Sequence, residues 1–141
     1  MTKSEKAADC FKQGLNCAQA ILSVYGEEDG LAKKDALRLT AGFGGGVARS
    51  GGICGAVSGA LMVIGLRYAK GMESKEKVIF SAREFMNKFK ERCGSIMCRE
   101  LIGIDLNTPE GKKALKEDPE FSKLCSNLVK TAGEILDQFP G

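Results

Sequence analysis

The chain contains no histidine, and that absence excludes more chemistry than any other feature. Mixed Cys/His zinc sites, Ser-His and Cys-His nucleophile pairs, and c-type haem attachment through C-x-x-C-H are all ruled out. A block of like charge is also missing. The 21 basic and 18 acidic residues are spread along the sequence for a net charge of +3. No basic stripe is interleaved with aromatics, so no nucleic-acid partner is expected. The longest apolar run, Ile53 to Leu66, is interrupted by glycine and falls short of the about 20 residues a bilayer crossing takes. The opening stretch MTKSEKAADCF has no apolar core of a secretory signal. Together these absences predict a cytoplasmic chain without membrane insertion. At 141 residues it reads as one domain over 1–141. That length buries roughly two-thirds of the unfolded surface, so neither disulfide nor metal is needed merely to fold.

What is abundant is glycine, and it is concentrated. Half of the 18 glycines lie between Gly42 and Gly65, around Cys54. Before Cys54 they are too dense for a regular element. After it, Ala56, Val57, Ala60, Leu61, Met62, Ile64 and Leu66 form an apolar run broken by Gly55, Gly59 and Gly65. This pattern predicts a glycine loop that delivers Cys54 to the first turn of a central buried helix. Small residues on that helix would let neighbouring backbones approach. The loop fits neither G-x-x-x-x-G-K-[ST] nor G-x-G-x-x-G, so it is not read as a nucleotide cradle. Arg49 within it is a candidate to hold an anion or offset thiolate charge, with a solvated arginine as the alternative. The loop is also a candidate homodimer contact.

The remaining segments read as helices. Thr2 and Glu5 have capping-box spacing, and Asn16 can cap a helix carrying Cys17, Ala18, Ile21, Leu22 and Tyr25. Short helices are expected from Lys33 to Ala41 and from Ile96 to Leu101, the latter closed by Gly103. Ser74 is expected to cap a helix with Val78, Ala82, Phe85, Met86 and Phe89 on its inner face. Thr108-Pro109-Glu110 and Asp118-Pro119-Glu120 are start signals. The last helix should bury Phe121, Leu124, Cys125, Leu128, Ala132, Ile135 and Leu136. No segment alternates long enough to argue a strand. The fold class is all-α, a compact multi-helix bundle with the glycine-rich loop leading into its central helix.

Six cysteines in a chain expected in a reducing compartment point to metal ligands or redox thiols rather than static disulfides. Cys17, Cys54 and Cys98 fall in first turns of helices, where free amides and the positive dipole end favour a thiolate. Cys125 lies on the apolar face of the last helix and could point into the same core. Cys10 and Cys93 read as small buried hydrophobes. The four are scattered over the chain, so only tertiary folding can gather them.

At Cys54-Gly55-Ala56-Val57-Ser58-Gly59 the sequence carries the motif CGAxxG. With Asn16-Cys17-Ala18-Gln19-Ala20 upstream, and Cys98-Arg99-Glu100-Leu101 and Cys125 downstream, the chain resembles the C_GCAxxG_C_C family along nearly its whole length. That resemblance implies a redox-active protein whose four signature cysteines correspond to Cys17, Cys54, Cys98 and Cys125. Some relatives carry selenocysteine at a signature position, which implies redox chemistry rather than a purely structural role. The family is also similar to the cysteine-bearing part of split-Soret cytochromes, where the cysteines hold an iron–sulfur cluster. Without C-x-x-C-H segments, only the cluster could carry over.

Three uses of the four thiols follow as expectations. The first is an Fe–S cluster for electron transfer or redox sensing, with an unidentified redox partner. The second is thiol–disulfide or peroxide-type chemistry, with Cys54 as the reactive thiolate and another signature cysteine resolving it. The third is a zinc site built from the four cysteines. Compact ferredoxin spacings and C-x-x-C are both absent, so spacing favours none of them.

Overall fold

Sequence-local capping accounts for half of the α-helix starts. In the computed structural model, which describes residues 1–140, Thr2 and Glu5 close a capping box on α1 (Lys3–Lys12). Asn16 and Gln19 do the same for α2 (Cys17–Tyr25). Thr108 accepts from Gly111 N–H at the start of α7 (Pro109–Glu117), and Asp118 accepts from Glu120 N–H at the start of α8 (Pro119–Leu136). Between them lie α3 (Lys33–Leu39), α4 (Gly55–Tyr68), α5 (Lys75–Cys93) and the one-turn α6 (Cys98–Ile102). The described residues contain no β-strand, only an isolated antiparallel bridge between Ile53 and Met97. The all-α class holds.

Helices α1, α2, α4, α5 and α8 enclose the main core, with α1 packed along α8 and α2 along α4. Its largest fully buried side chains include Tyr25, Phe85, Phe89, Ile21, Leu22, Ile64 and Ile135. The α2–α4 contact depends on glycine. A Cβ on Gly59 would stand 3.0 Å from the Ala18 carbonyl oxygen, and one on Gly55 would stand 2.9 Å from the Ala18 nitrogen. A second, smaller apolar cluster joins Cys98, Ile102, Leu106 and Cys125, with Phe11 and Cys17 packed against both clusters. The segment from α6 to α7 thus covers one end of the main bundle.

Three details differ from the sequence-based expectation. Ser74 Oγ donates to the Gly71 carbonyl and accepts from Lys70 N–H, so it closes the preceding turn and makes no side-chain cap for α5. On α8, Leu124 is exposed while Val129 is buried, a slight rotation of the apolar face. The glycine loop is ordered rather than irregular. Gly45 to Arg49 all have positive φ, between 51° and 68°, and form a left-handed turn that includes Val47, Ala48 and Arg49. For residues other than glycine this conformation costs about 1–2 kcal/mol each. Crossing hydrogen bonds hold it, among them Ala48 N–H to Gly42 O and Arg49 N–H to Gly44 O, both 2.8 Å.

Candidate functional site

Four elements bring one cysteine each to a common cavity of about 410 Å³, where Cys17, Cys54, Cys98 and Cys125 all line the wall. All six cysteines of the chain are free thiols. Cys10, on α1, and Cys93, at the end of α5, are half-buried against the main core and do not line that cavity.

Backbone contacts set the register of the site. The Cys54 N–H donates to Ile96 O at 2.8 Å, and the Cys98 N–H donates to Gly52 O at 2.7 Å. The Ile53–Met97 bridge therefore holds two of the cysteines side by side along paired backbones. Period-two pattern is too short there to reveal it. The only clues in the sequence are Ile53 and Ile96-Met97, apolar residues standing beside glycine and serine. Gly46 makes the approach possible, because a Cβ there would meet Cys98 Cβ at 2.6 Å and Gly52 O at 2.5 Å. Cys17 is set by the Asn16 cap, whose side-chain amide also donates to Thr40 O at 3.1 Å. Gly55 brings the next backbone alongside, since its Cβ would stand 3.1 Å from Cys17 Cβ. Cys125 reaches the cavity from the first half of α8.

The thiols are not equivalent. Hydrogen bonding with Cys17 favours the Cys54 thiolate, and the Ala56 and Val57 amides add to this against the opposing effect of burial, so the Cys54 pKa lies below the ordinary thiol value. The Cys125 pKa is also lowered, first by hydrogen bonding with Cys17. Cys17 is the member that keeps its proton. Its pKa is driven well up by hydrogen bonding to Cys125, then to Cys54, and then by burial. Burial pushes Cys98 up to about 12.

This corrects the expectation that all three helix-start cysteines favour thiolates. Cys54 stands at the N-cap of α4, beside the free amides of the first turn, although its side chain closes no cap hydrogen bond. Cys17 and Cys98 occupy the first helical position instead. In α2 the cap belongs to Asn16, and α6 is a single turn with little dipole to offer.

Around the thiols the wall is apolar, with Leu101, Ile102, Leu106 and Leu128 among its residues, and the charged side chains on it are Lys12, Arg49 and Lys116. Arg49 is the one of these that the sequence already marks. Lys12 and Lys116 carry no signal there, being two lysines among many on helix surfaces. Among the described residues, no three His, Cys, Asp or Glu side chains stand together as ligands of one ion. No helix among them is long and apolar enough to cross a membrane.

A family model described as "Putative redox-active protein (C_GCAxxG_C_C)" matches residues 15–139. No curated protein and no solved structure matches the chain.

Proposed function

The chain belongs to the C_GCAxxG_C_C family, and from that premise we propose that its redox centre is the four-cysteine cavity, used for electron transfer or redox sensing through a thiolate-bound iron–sulfur cluster. The observation that carries this reading is the convergence of Cys17, Cys54, Cys98 and Cys125, from four separate elements, on one cavity. Four thiolates are the usual complement of [2Fe–2S] and [4Fe–4S] clusters. A cluster spreads its ligands over several irons, so its cysteines need not meet at the single point a zinc ion requires.

The donor set fits. All four candidate ligands are sulfur, and the charged wall residues are cations, which offset the negative charge of an assembled thiolate centre. A bound cluster supplies one-electron transfer. The chain's own contributions are distinct. The Ile53–Met97 bridge fixes Cys54 and Cys98 in register. Ala56 and Val57 amides favour charge on Cys54. Leu101, Ile102, Leu106 and Leu128 shield the centre from solvent.

A second reading rests on a different observation, the close approach of Cys17 to the backbone beside Cys54, where a Cβ on Gly55 would stand 3.1 Å from Cys17 Cβ. In thiol–disulfide chemistry the Cys54 thiolate attacks a partner disulfide, forming a mixed disulfide and releasing one partner thiolate. Cys17, giving its proton to the released partner thiolate, attacks Cys54 sulfur, closing a Cys17–Cys54 disulfide and releasing the second thiolate. The partner gains two electrons and the pair is oxidised.

Anaerobic purification separates the readings, with absorption spectroscopy and iron, sulfide and zinc analysis. Brown protein containing iron and sulfide is the expected result. Serine at Cys17, Cys54, Cys98 or Cys125 should lower the iron content, while Cys10→Ser and Cys93→Ser retain it. Colourless, iron-free protein that resists reconstitution and yields a Cys17–Cys54 disulfide on mild oxidation would replace the cluster with the dithiol. Stoichiometric zinc without iron would overturn both.

A further inference from the structure

Lys12 ends α1, Arg49 belongs to the left-handed loop, and Lys116 lies on α7; all three are exposed, yet all line the cysteine cavity, and so they stand at its opening. No carboxylate lines the cavity with them. None of the three enters an ion pair; the four salt bridges among the described residues use Lys3, Arg67, Lys88 and Arg92. Three cations from three distant parts of the chain therefore line one cavity, with no carboxylate beside them.

The loop beside them adds donors. Gly44, Gly45 and Gly46 line the same cavity, and their amides donate to no acceptor among the described residues. Backbone N–H groups in a folded chain are rarely left without a partner, and successive free amides in a turn form a concavity suited to an anion. The left-handed conformation of Val47, Ala48 and Arg49 follows directly after them, and strained backbone of this kind gathers at ligand clamps.

We propose that the opening of the cysteine cavity binds a small oxyanion group, phosphate-, sulfate- or carboxylate-like, between Lys12, Arg49, Lys116 and the Gly44–Gly46 amides. The inference rests on the redox reading only for its purpose, which is to select anionic small molecules for approach to the thiols. The binding itself requires no electron transfer.

The test is equilibrium dialysis of the full chain, purified anaerobically, against labelled inorganic phosphate at constant ionic strength. One saturable site is expected, displaced by sulfate and acetate more readily than by chloride. Arg49→Gln and Lys116→Gln should each weaken it by about tenfold or more, the scale of one hydrogen bond to a charged group. Lys113→Gln, a nearby cation that does not line the cavity, should bind as the unaltered chain does. Absence of saturable binding, or equal binding in the Arg49 and Lys116 variants, overturns the proposal. So does a loss of iron in those variants with phosphate binding unchanged, since the cations would then serve the thiolates alone. Iron and thiol analysis of the same samples keeps the two ideas apart. Phosphate bound by a chain with neither iron nor oxidisable thiols would defeat the redox reading and leave the anion site standing.

Discussion

Cys54 and Cys98 are held by the same backbone bridge, and their thiols are driven in opposite directions. Hydrogen bonding with Cys17 and the amides of α4 favour charge on Cys54, whereas burial keeps the proton on Cys98. On reduced, iron-free protein, alkylation followed by peptide mapping should therefore modify Cys54 at a pH below that of an ordinary thiol. Cys98 should stay unmodified until well into the alkaline range. Equal pH profiles for the two would show that neither Cys17 nor the α4 amides favour charge on Cys54. The same asymmetry affects stability. The folded-state pKa of Cys98 is raised from 9.0 to about 12, so its contribution is fully present below pH 9. It is lost as pH rises from 9 towards 12, because the unfolded chain gives up the proton first. Burial raises Tyr25 in the same sense above its ordinary value of 10. On the reduced, iron-free protein, thermal midpoints measured from pH 8 upward should fall more gently in Cys98→Ala than in the unaltered chain. Parallel curves would remove Cys98 from the alkaline transition.

At the scale of elements, the glycines divide into those that create contacts and those that do not. Gly59 faces Ala18 across the α2–α4 contact, and an added Cβ would lie 3.0 Å from Ala18 O, 3.2 Å from its Cα and 3.2 Å from Ile21 Cβ. Gly59→Ala should destabilise by about 1–3 kcal/mol, the range for overpacking, and should displace Cys17 from Cys54. Gly65 lies in the same helix with nothing within 4 Å of its added Cβ. Gly65→Ala should stabilise by about 0.5–1 kcal/mol, the helix-interior difference between the two residues. Urea unfolding of the pair checks both signs. In the loop, Ala48 has φ of 51°, so Ala48→Gly relieves left-handed strain of about 1–2 kcal/mol. The greater freedom of glycine in the unfolded chain offsets about 0.4–1 kcal/mol of that gain. A small rise in the urea midpoint is the expected outcome, and a clear fall would show that the alanine methyl group stabilises the turn.

Across the whole molecule, one buried cation ties remote parts of the chain together. Arg67 Nε pairs with Asp29 Oδ2 at 3.0 Å, and its Nη1 donates to Phe139 O at 2.7 Å and Leu136 O at 3.3 Å. With side-chain exposures of 6% and 16%, the pair is shielded from the solvent that weakens surface ion pairs. Removing one partner of a buried pair typically costs about 3–5 kcal/mol. Arg67→Met should therefore destabilise the whole chain while leaving the four cysteines in place, since Arg67 does not line their cavity. Thermal unfolding and iron content of the folded protein together test this. A variant with normal stability would show that the apolar stem of residue 67, rather than its charge, holds the C-terminal end.

Helix starts were legible in the sequence because capping is local. Thr2, Asn16, Thr108 and Asp118 satisfy amides within three residues of themselves. The all-α class followed from apolar spacing for the same reason. The grouping of Cys17, Cys54, Cys98 and Cys125 came from the family resemblance and from their positions at helix starts and on an apolar face. Their shared cavity, the Ile53–Met97 bridge and the left-handed turn of Gly45–Arg49 could not be read that way. Each depends on backbone segments distant in sequence coming within a few ångströms of one another. Tertiary structure also decided which thiols favour charge, because proton affinity depends on neighbouring donors and burial: Cys17 near Cys54 and Cys125, apolar packing around Cys98. Lys12 and Lys116 were anonymous surface lysines until folding placed them beside Arg49 at one opening, since charge carries meaning only relative to what surrounds it.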